Sequence, residues 1–326
     1  MTGKESGVRF RYGALARACI MLVVPSLLLA AGCTSRGSST GDERPLVVTT
    51  TTMLEDLVGI VGGDDIRVAG LMPVGADPHT YQPVPSDART VSSSALVIMN
   101  GLHLEGWIER LVRTAGGERP VVAVGEGGTV IEDEDAPGGV DPHIWFDVGR
   151  WIIATDEVER ALRSLLAEDE EAVLRIERRA AEYRETLRSL DTWVRERVAS
   201  IDASRRVLVT SHDAFGYFGM AYGVQVEAVQ GISTEQEASQ RDLVRVIDLV
   251  RARALPAVFA ETSVNPGLIG QVARETGASL AGPLYSDSLG EPGGAAGTYV
   301  GMVEENVRMI VEGLGGTFVP FEAPAP

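Results

Sequence analysis

Residues 169–201 read DEEAVLRIERRAAEYRETLRSLDTWVRERVASI, a stretch without Gly or Pro and dense in Ala, Leu, Glu and Arg. Val173, Ile176, Ala180, Tyr183, Leu187, Leu190, Trp193, Val194 and Val198 recur at the three- and four-residue spacing that lines one helix face. Asp169 stands where an N-cap belongs, its carboxylate placed to accept a first-turn N–H. At about 1.5 Å per residue the helix would run about 45 Å. A coiled coil would carry the stripe through further heptads, and this one stops. The stretch is therefore predicted to be one stiff helix packed along two lobes.

On either side of it the pattern is different. Before it come the apolar runs LVVTTT, IRVAGLM, ALVIMN and PVVAV; after it come RRVLVTS, VQVEAVQ, PAVFAET and GASLAGPL. Helical periodicity separates them, as from about Met53 to Gly62 and through GLHLEGWIERLVRTAG. Short apolar strands alternating with helices imply parallel βα units buried on both faces. The expected architecture is α/β: two lobes with mostly parallel sheets, bridged by the long helix. The expected organisation is a first α/β lobe over 45–150, a helical segment over 151–201 and a second α/β lobe over 202–326, a division in keeping with a chain of 326 residues.

Residues 1–44 stand apart. Lys4, Arg9, Arg11 and Arg17 precede the apolar ACIMLVVPSLLLAAG, which ends in small residues as a cleaved signal does. Cys33 follows, then a Ser/Gly/Thr tether. LLLAAGC resembles a bacterial lipobox, with Ala30 where that motif prefers Leu, and plain secretory cleavage is the alternative. The expectation is a signal peptide over 1–32, a lipid on Cys33 and a tether over 33–44 that anchors the protein to the outer side of the cell membrane. The other cysteine, Cys19, lies inside the signal, so the mature chain holds no internal disulfide and no thiolate for a buried metal.

The formal charge is −17, and the first 33 residues carry four Lys/Arg and one Glu, which leaves the rest at about −20. Such a surface disfavours nucleic acid and anionic substrates.

The chemistry gathers at scarce histidines. The chain has four, His79, His103, His143 and His212, and two of them sit in a repeated tripeptide, Asp77-Pro78-His79 and Asp141-Pro142-His143. Proline fixes its own φ and biases the Asp before it toward extended backbone, so each imidazole rides on a defined corner. Asp77 and Asp141, two residues back, are candidates to orient the rings, as carboxylates commonly do for metal-bound histidine. His79 follows the second strand, and His212 follows the first strand of the second lobe with Asp213 beside it. Asp287, in GPLYSDSLGEPGG, follows the last strand. Ligands of open α/β sheets bind at the carboxyl ends of strands. Three histidines and one aspartate, two from each lobe, would meet in the interlobe cleft. That donor set suits four-coordinate zinc and could hold manganese. Taken singly, each of these residues would pass for a loop histidine or a turn aspartate.

The segments MPVGADPHTYQPVPSD, NGLHLEGW, DPHIWFD, VTSHDAFGYFGMAYG, GISTEQEAS, VFAETSVNP and YSDSLGEPGGAAGTYVGMVEEN together closely resemble the metal-binding solute-binding lipoproteins of bacterial ABC importers for zinc and manganese, over about 45–314. The resemblance implies two α/β lobes joined by a stiff helix. It implies that His79, His143, His212 and Asp287 are the metal ligands, that Asp213 and Glu261 lie near the site, and that His103 takes no part. The cargo implied is one divalent ion, Zn2+ favoured and Mn2+ next, and the partner is an ABC permease. A monomer is expected, and no enzyme. Many zinc members carry a His-rich loop between the first two ligands; here that place holds the acidic GGTVIEDEDAPGGVD, with its charges at 132–135. A secreted zinc hydrolase or a surface adhesin are the alternatives, the former lacking any HExxH motif and the latter any repeat.

Overall fold

Each apolar run becomes a strand. The computed structural model describes residues 42–134 and 136–324, so the signal segment and Cys33 lie outside the described residues. In the first lobe β1 (Leu46–Thr49), α1 (Thr52–Gly62), β2 (Arg67–Gly70), α2 (Pro85–Ser92), β3 (Leu96–Met99), α3 (Ile108–Ala115) and β4 (Val121–Ala123) follow in turn. Their sheet has the order β2-β1-β3-β4, parallel throughout. Successive residues of β1 face opposite layers. Val47 joins the large core that includes the long helix, while Val48 packs with Leu71, Val91, Val97 and Trp107 on the other side.

Two helices follow, α4 (Val148–Leu165) and α5 (Glu170–Ala199). The α5 N-cap is Asp169, whose side chain accepts Ala172 N–H at 2.9 Å. Its buried stripe matches the expected one except at its start, where Ala172 rather than Val173 points inward. Arg175 and Arg179 clamp the first end to Asp65, and Arg179 also caps the carbonyls of Val61 and Gly62 at the end of α1. At the other end the Trp193 indole donates to Val319 O at 2.9 Å and stacks edge-on against Phe318 and Phe321. One helix is thus pinned to elements of both lobes. Truncating a fully buried member of its stripe such as Leu187 to alanine would cost about 2–5 kcal/mol.

The second lobe holds β5 (Val207–His212), α6 (Gly216–Tyr222), β6 (Gln225–Gln230), α7 (Gln240–Arg253), β7 (Ala257–Glu261), α8 (Gly267–Thr276), β8 (Ser279–Leu284) and α9 (Tyr299–Gly313). β5 pairs with β6 and β7 with β8, both parallel, and β5 lies beside β7. Among the described residues no helix is long and apolar enough to cross a membrane.

The structure corrects one element. The helical spacing of GLHLEGWIERLVRTAG yields a helix only from Ile108. Gly101, Leu102 and His103 instead have φ of 81°, 54° and 62°, a left-handed turn.

Candidate metal centre

Both Asp-Pro-His corners fold by the same local bond. Asp77 Oδ1 accepts the His79 backbone N–H at 2.8 Å, and Asp141 Oδ1 accepts that of His143 at 2.9 Å. A short carboxylate bonding the backbone two residues on is the Asx turn that Asp-Pro favours. Beyond that bond the corners differ. Asp141 Oδ1 also lies 2.7 Å from the His143 ring Nδ1, whereas the second oxygen of Asp77 accepts from Thr80 Oγ1 at 3.1 Å and from Thr234 Oγ1 at 2.5 Å. Thr234 belongs to the second lobe, so Asp77 ties one lobe to the other.

His212 ends β5 and Glu261 ends β7. Because these strands lie side by side, Glu261 Oε1 accepts the His212 N–H at 2.9 Å and Oε2 sits 2.5 Å from its ring Nδ1. With Nδ1 so engaged in His143 and His212, Nε2 is the atom each turns toward the centre. Asp287 Oδ2 accepts Ser263 Oγ at 2.6 Å and Ser286 Oγ at 3.3 Å. Its Oδ1 and His212 Nε2 are buried with no hydrogen-bond partner among the described residues, and His212 Nδ1 and Glu261 Oε2 meet as an ion-pair contact without hydrogen-bond geometry.

One ligand atom from each of His79, His143, His212 and Asp287 lies within 4.8 Å of the others. The Nε2 atoms of His79 and His143 are 3.2 Å apart, and Asp287 Oδ1 is 3.8 Å from His143 Nε2 and 3.6 Å from His212 Nε2. A tetrahedral ion with bonds of about 2.0–2.1 Å separates its ligand atoms by about 3.3–3.4 Å; these three spacings lie near that value, and the remaining pairs are within 4.8 Å. His143 and His212 are 0% exposed, Asp287 1% and His79 8%, which makes His79 the ligand nearest solvent.

The charges are arranged for a cation. Burial, then the neighbouring His143, pushes the His79 pKa down to about 3, so its ring stays neutral. Burial alone would depress His212, but Glu261 and Asp287 outweigh it and hold its pKa well above the usual histidine value. Burial alone would raise Asp287, but His212, His143 and His79 keep its carboxyl far below the ordinary range. The buried Asp287 carboxylate is thus held in its charged form by the three histidines around it, an arrangement that favours a cation.

The family described as ZnuA, zinc-uptake complex component A, periplasmic, matches residues 47–313. The chain belongs to the ZnuA family. Within it, the manganese-binding lipoprotein MntA of Bacillus subtilis is 37% identical over 296 residues, covering 88% of this chain and 95% of that protein. The zinc-binding protein TroA of Treponema pallidum is 39% identical over 281 residues, covering 84% and 90%. A solved structure of TroA from that organism superimposes with a TM-score of 0.79 at 38% identity, over 83% of this chain and 99% of that one. The metal ABC transporter substrate-binding lipoprotein FimA of Streptococcus parasanguinis is 31% identical over 306 residues, covering 91% and 98%. As a ZnuA-family member the chain is a metal-binding, substrate-binding protein of an ABC importer.

Of the flanking carboxylates expected from the sequence, Asp141 and Glu261 reach the rings of His143 and His212. Asp77 reaches the backbone of one. Asp213 hydrogen-bonds none of the four among the described residues; burial and then Asp141 raise its pKa to about 6. His103 is exposed, its ring so close to Gly138 that a Cβ there would lie 2.0 Å from it. Sequence reasoning missed Ser263 on Asp287, and Trp145, whose ring stands edge-on to His143 while its indole donates to Ser286 O at 2.8 Å. Nothing local marked them, since each acts through a contact between distant segments.

Proposed function

We propose that this protein captures one divalent metal ion outside the cytoplasmic membrane through His79, His143, His212 and Asp287 and delivers it to an ABC permease, with zinc preferred over manganese. The observation that supports this most is the closed set of four buried ligand atoms, all within 4.8 Å of one another. Three nitrogens and one carboxylate oxygen suit zinc, whereas manganese favours oxygen-rich, six-coordinate sites. The hydroxyl of Ser263 on Asp287 Oδ2 leaves Oδ1 as the free donor, which favours a single bond from that carboxylate. The names of the relatives divide between manganese for MntA and zinc for TroA, so the donor set rather than the likeness supports zinc.

A binding rather than catalytic role follows from the same closure. Catalytic zinc keeps a position open for water, and four protein ligands fill a tetrahedron. Release would begin at the His79 corner, the ligand nearest solvent, with a loop or modest lobe shift. The long helix pinned to both lobes resists a wide hinge. We further propose that the protein works as a monomer, that residues 45–150 and 202–326 form its two lobes about the helical segment 151–201, and that a lipid on Cys33 holds it at the membrane by the tether over 33–44 after loss of residues 1–32.

The test is to strip the protein with a chelator and titrate zinc and manganese separately, following melting temperature and stoichiometry. One equivalent of zinc should raise the melting temperature more than manganese does. No rise with either ion would defeat the metal-capture reading, and a larger rise with manganese would overturn the choice of zinc.

A further inference from the structure

The segment Asn100–Trp107, read from sequence as the start of a helix, does something else. Its left-handed residues 101–103 fold it back on itself, with Leu102 and His103 in backbone that side chains disfavour. Such a conformation persists only where its surroundings hold it. What holds it is Glu105, a carboxylate only 2% exposed. Its Oε1 accepts Asn100 N–H at 2.8 Å and Thr50 Oγ1 at 2.6 Å, and its Oε2 accepts Gly101 N–H at 3.1 Å. The fold-back leaves two buried side-chain donors, Asn100 and Trp107, at the two ends of one short loop.

Each donor takes a prolyl carbonyl. The Trp107 indole N–H donates to Pro78 O at 3.0 Å, and Asn100 Nδ2 donates to Pro142 O at 2.9 Å, a carbonyl that also accepts from Ile144 N–H at 2.8 Å. These are the prolines of the two Asp-Pro-His corners. The Pro78 carbonyl and the His79 N–H belong to one planar peptide unit, as do the Pro142 carbonyl and the His143 N–H. The N–H side of each unit is held by the corner's own aspartate and the carbonyl side by the loop. Gripped on both sides, each unit fixes the direction in which its histidine leaves the backbone.

We propose that Asn100 and Trp107 are positioning residues for the metal site: one loop, braced by Glu105, grips both corners and sets the spacing of the His79 and His143 nitrogens. The inference rests on the reading of these histidines as metal ligands. Neither residue touches the metal position. They act through the peptide units that carry the ligands, and the loop joins two corners that lie 64 residues apart in the chain.

The test uses the full-length protein with Trp107→Phe, which keeps the ring and loses the N–H, and Asn100→Ala. Three quantities are read: zinc affinity by chelator competition, the visible spectrum of the cobalt(II)-loaded protein, and the melting temperature without metal. Each variant should lose about tenfold or more in zinc affinity, the scale for removing a group that orients a ligand, and should alter the cobalt spectrum. The metal-free melting temperature of Trp107→Phe should stay near the parent's. Parent-like affinity and spectrum in the variants would overturn the proposal, and a lowered metal-free melting temperature with unchanged affinity would reduce the loop to scaffolding. A parent protein that shows no cobalt spectrum and binds no zinc would remove the metal reading itself and the proposal with it. Should one variant fail to fold, the other decides.

Discussion

The two Asp-Pro-His corners share a tripeptide and a turn, yet they are put to different uses. At the second, Asp141 spends one oxygen on both the backbone and the ring of His143, and the Tyr217 hydroxyl donates to its carbonyl at 2.9 Å. His143 is wholly enclosed. At the first, Asp77 serves the backbone and turns its other oxygen outward to Thr80 and across the lobes to Thr234. On the proposed function, one corner would be a fixed wall of the site and the other its closure. The tripeptide encodes the turn; what packs around it decides whether the aspartate also holds the histidine ring.

The largest effects should come from the histidines themselves. His143→Ala and His79→Ala should each weaken zinc binding by more than about 100-fold, beyond the loss expected for an orienting group, as measured by chelator competition. They should part company in stability without metal. His143→Ala leaves buried Asp141 without its ring contact and should cost about 1–3 kcal/mol in denaturant unfolding, and His79→Ala should cost less. Equal losses would mean that the first corner is as structural as the second.

Asparagine at the two aspartates separates ring from backbone, since its carbonyl oxygen can still make the turn. Asp141→Asn should lower zinc affinity by about 10–100-fold through the ring contact. Asp77→Asn should lower it only a few-fold. A larger loss at Asp77 would reverse the assignment of wall and closure.

The smallest effect belongs to the closure's far side. Thr234→Val removes one hydrogen bond worth about 1 kcal/mol, or roughly fivefold in an equilibrium. Stopped-flow transfer of zinc to a chelator should show that change as faster release, with little change in capture. Slower capture with unchanged release would place the path of the ion elsewhere.

Much of this molecule could be read from its sequence. The strands were legible because each is a short, nearly continuous apolar run, and α5 because its stripe is long and free of Gly and Pro. That His79, His143, His212 and Asp287 would come together was legible because histidine is scarce here and the candidates stand in loops that follow strands. The failures share a cause. In GLHLEGWIERL the apolar residues Leu104, Trp107, Ile108 and Leu111 keep helical spacing, which masks the turn signal of Asn100-Gly101, and the left-handed backbone extends from Gly101 through Leu102 and His103. Val173 and Ala172 are adjacent, and either could edge a 3.6-residue stripe. Of the two carboxylates expected near the site, Glu261 reaches the His212 ring from the strand alongside, while Asp213, next to His212 in sequence, hydrogen-bonds none of the four; neighbours at a strand end point opposite ways. Local chemistry was readable; contacts between distant segments were not.

On the proposed function, four residues from the two sides of the long helix hold a single ion. A crystal of the zinc-loaded protein, measured on both sides of the zinc absorption edge, tests it most directly. The expected result is one anomalous peak about 2.0–2.1 Å from the Nε2 atoms of His79, His143 and His212 and from Asp287 Oδ1. A peak bound by fewer than three of these residues, or lying elsewhere in the molecule, would contradict it.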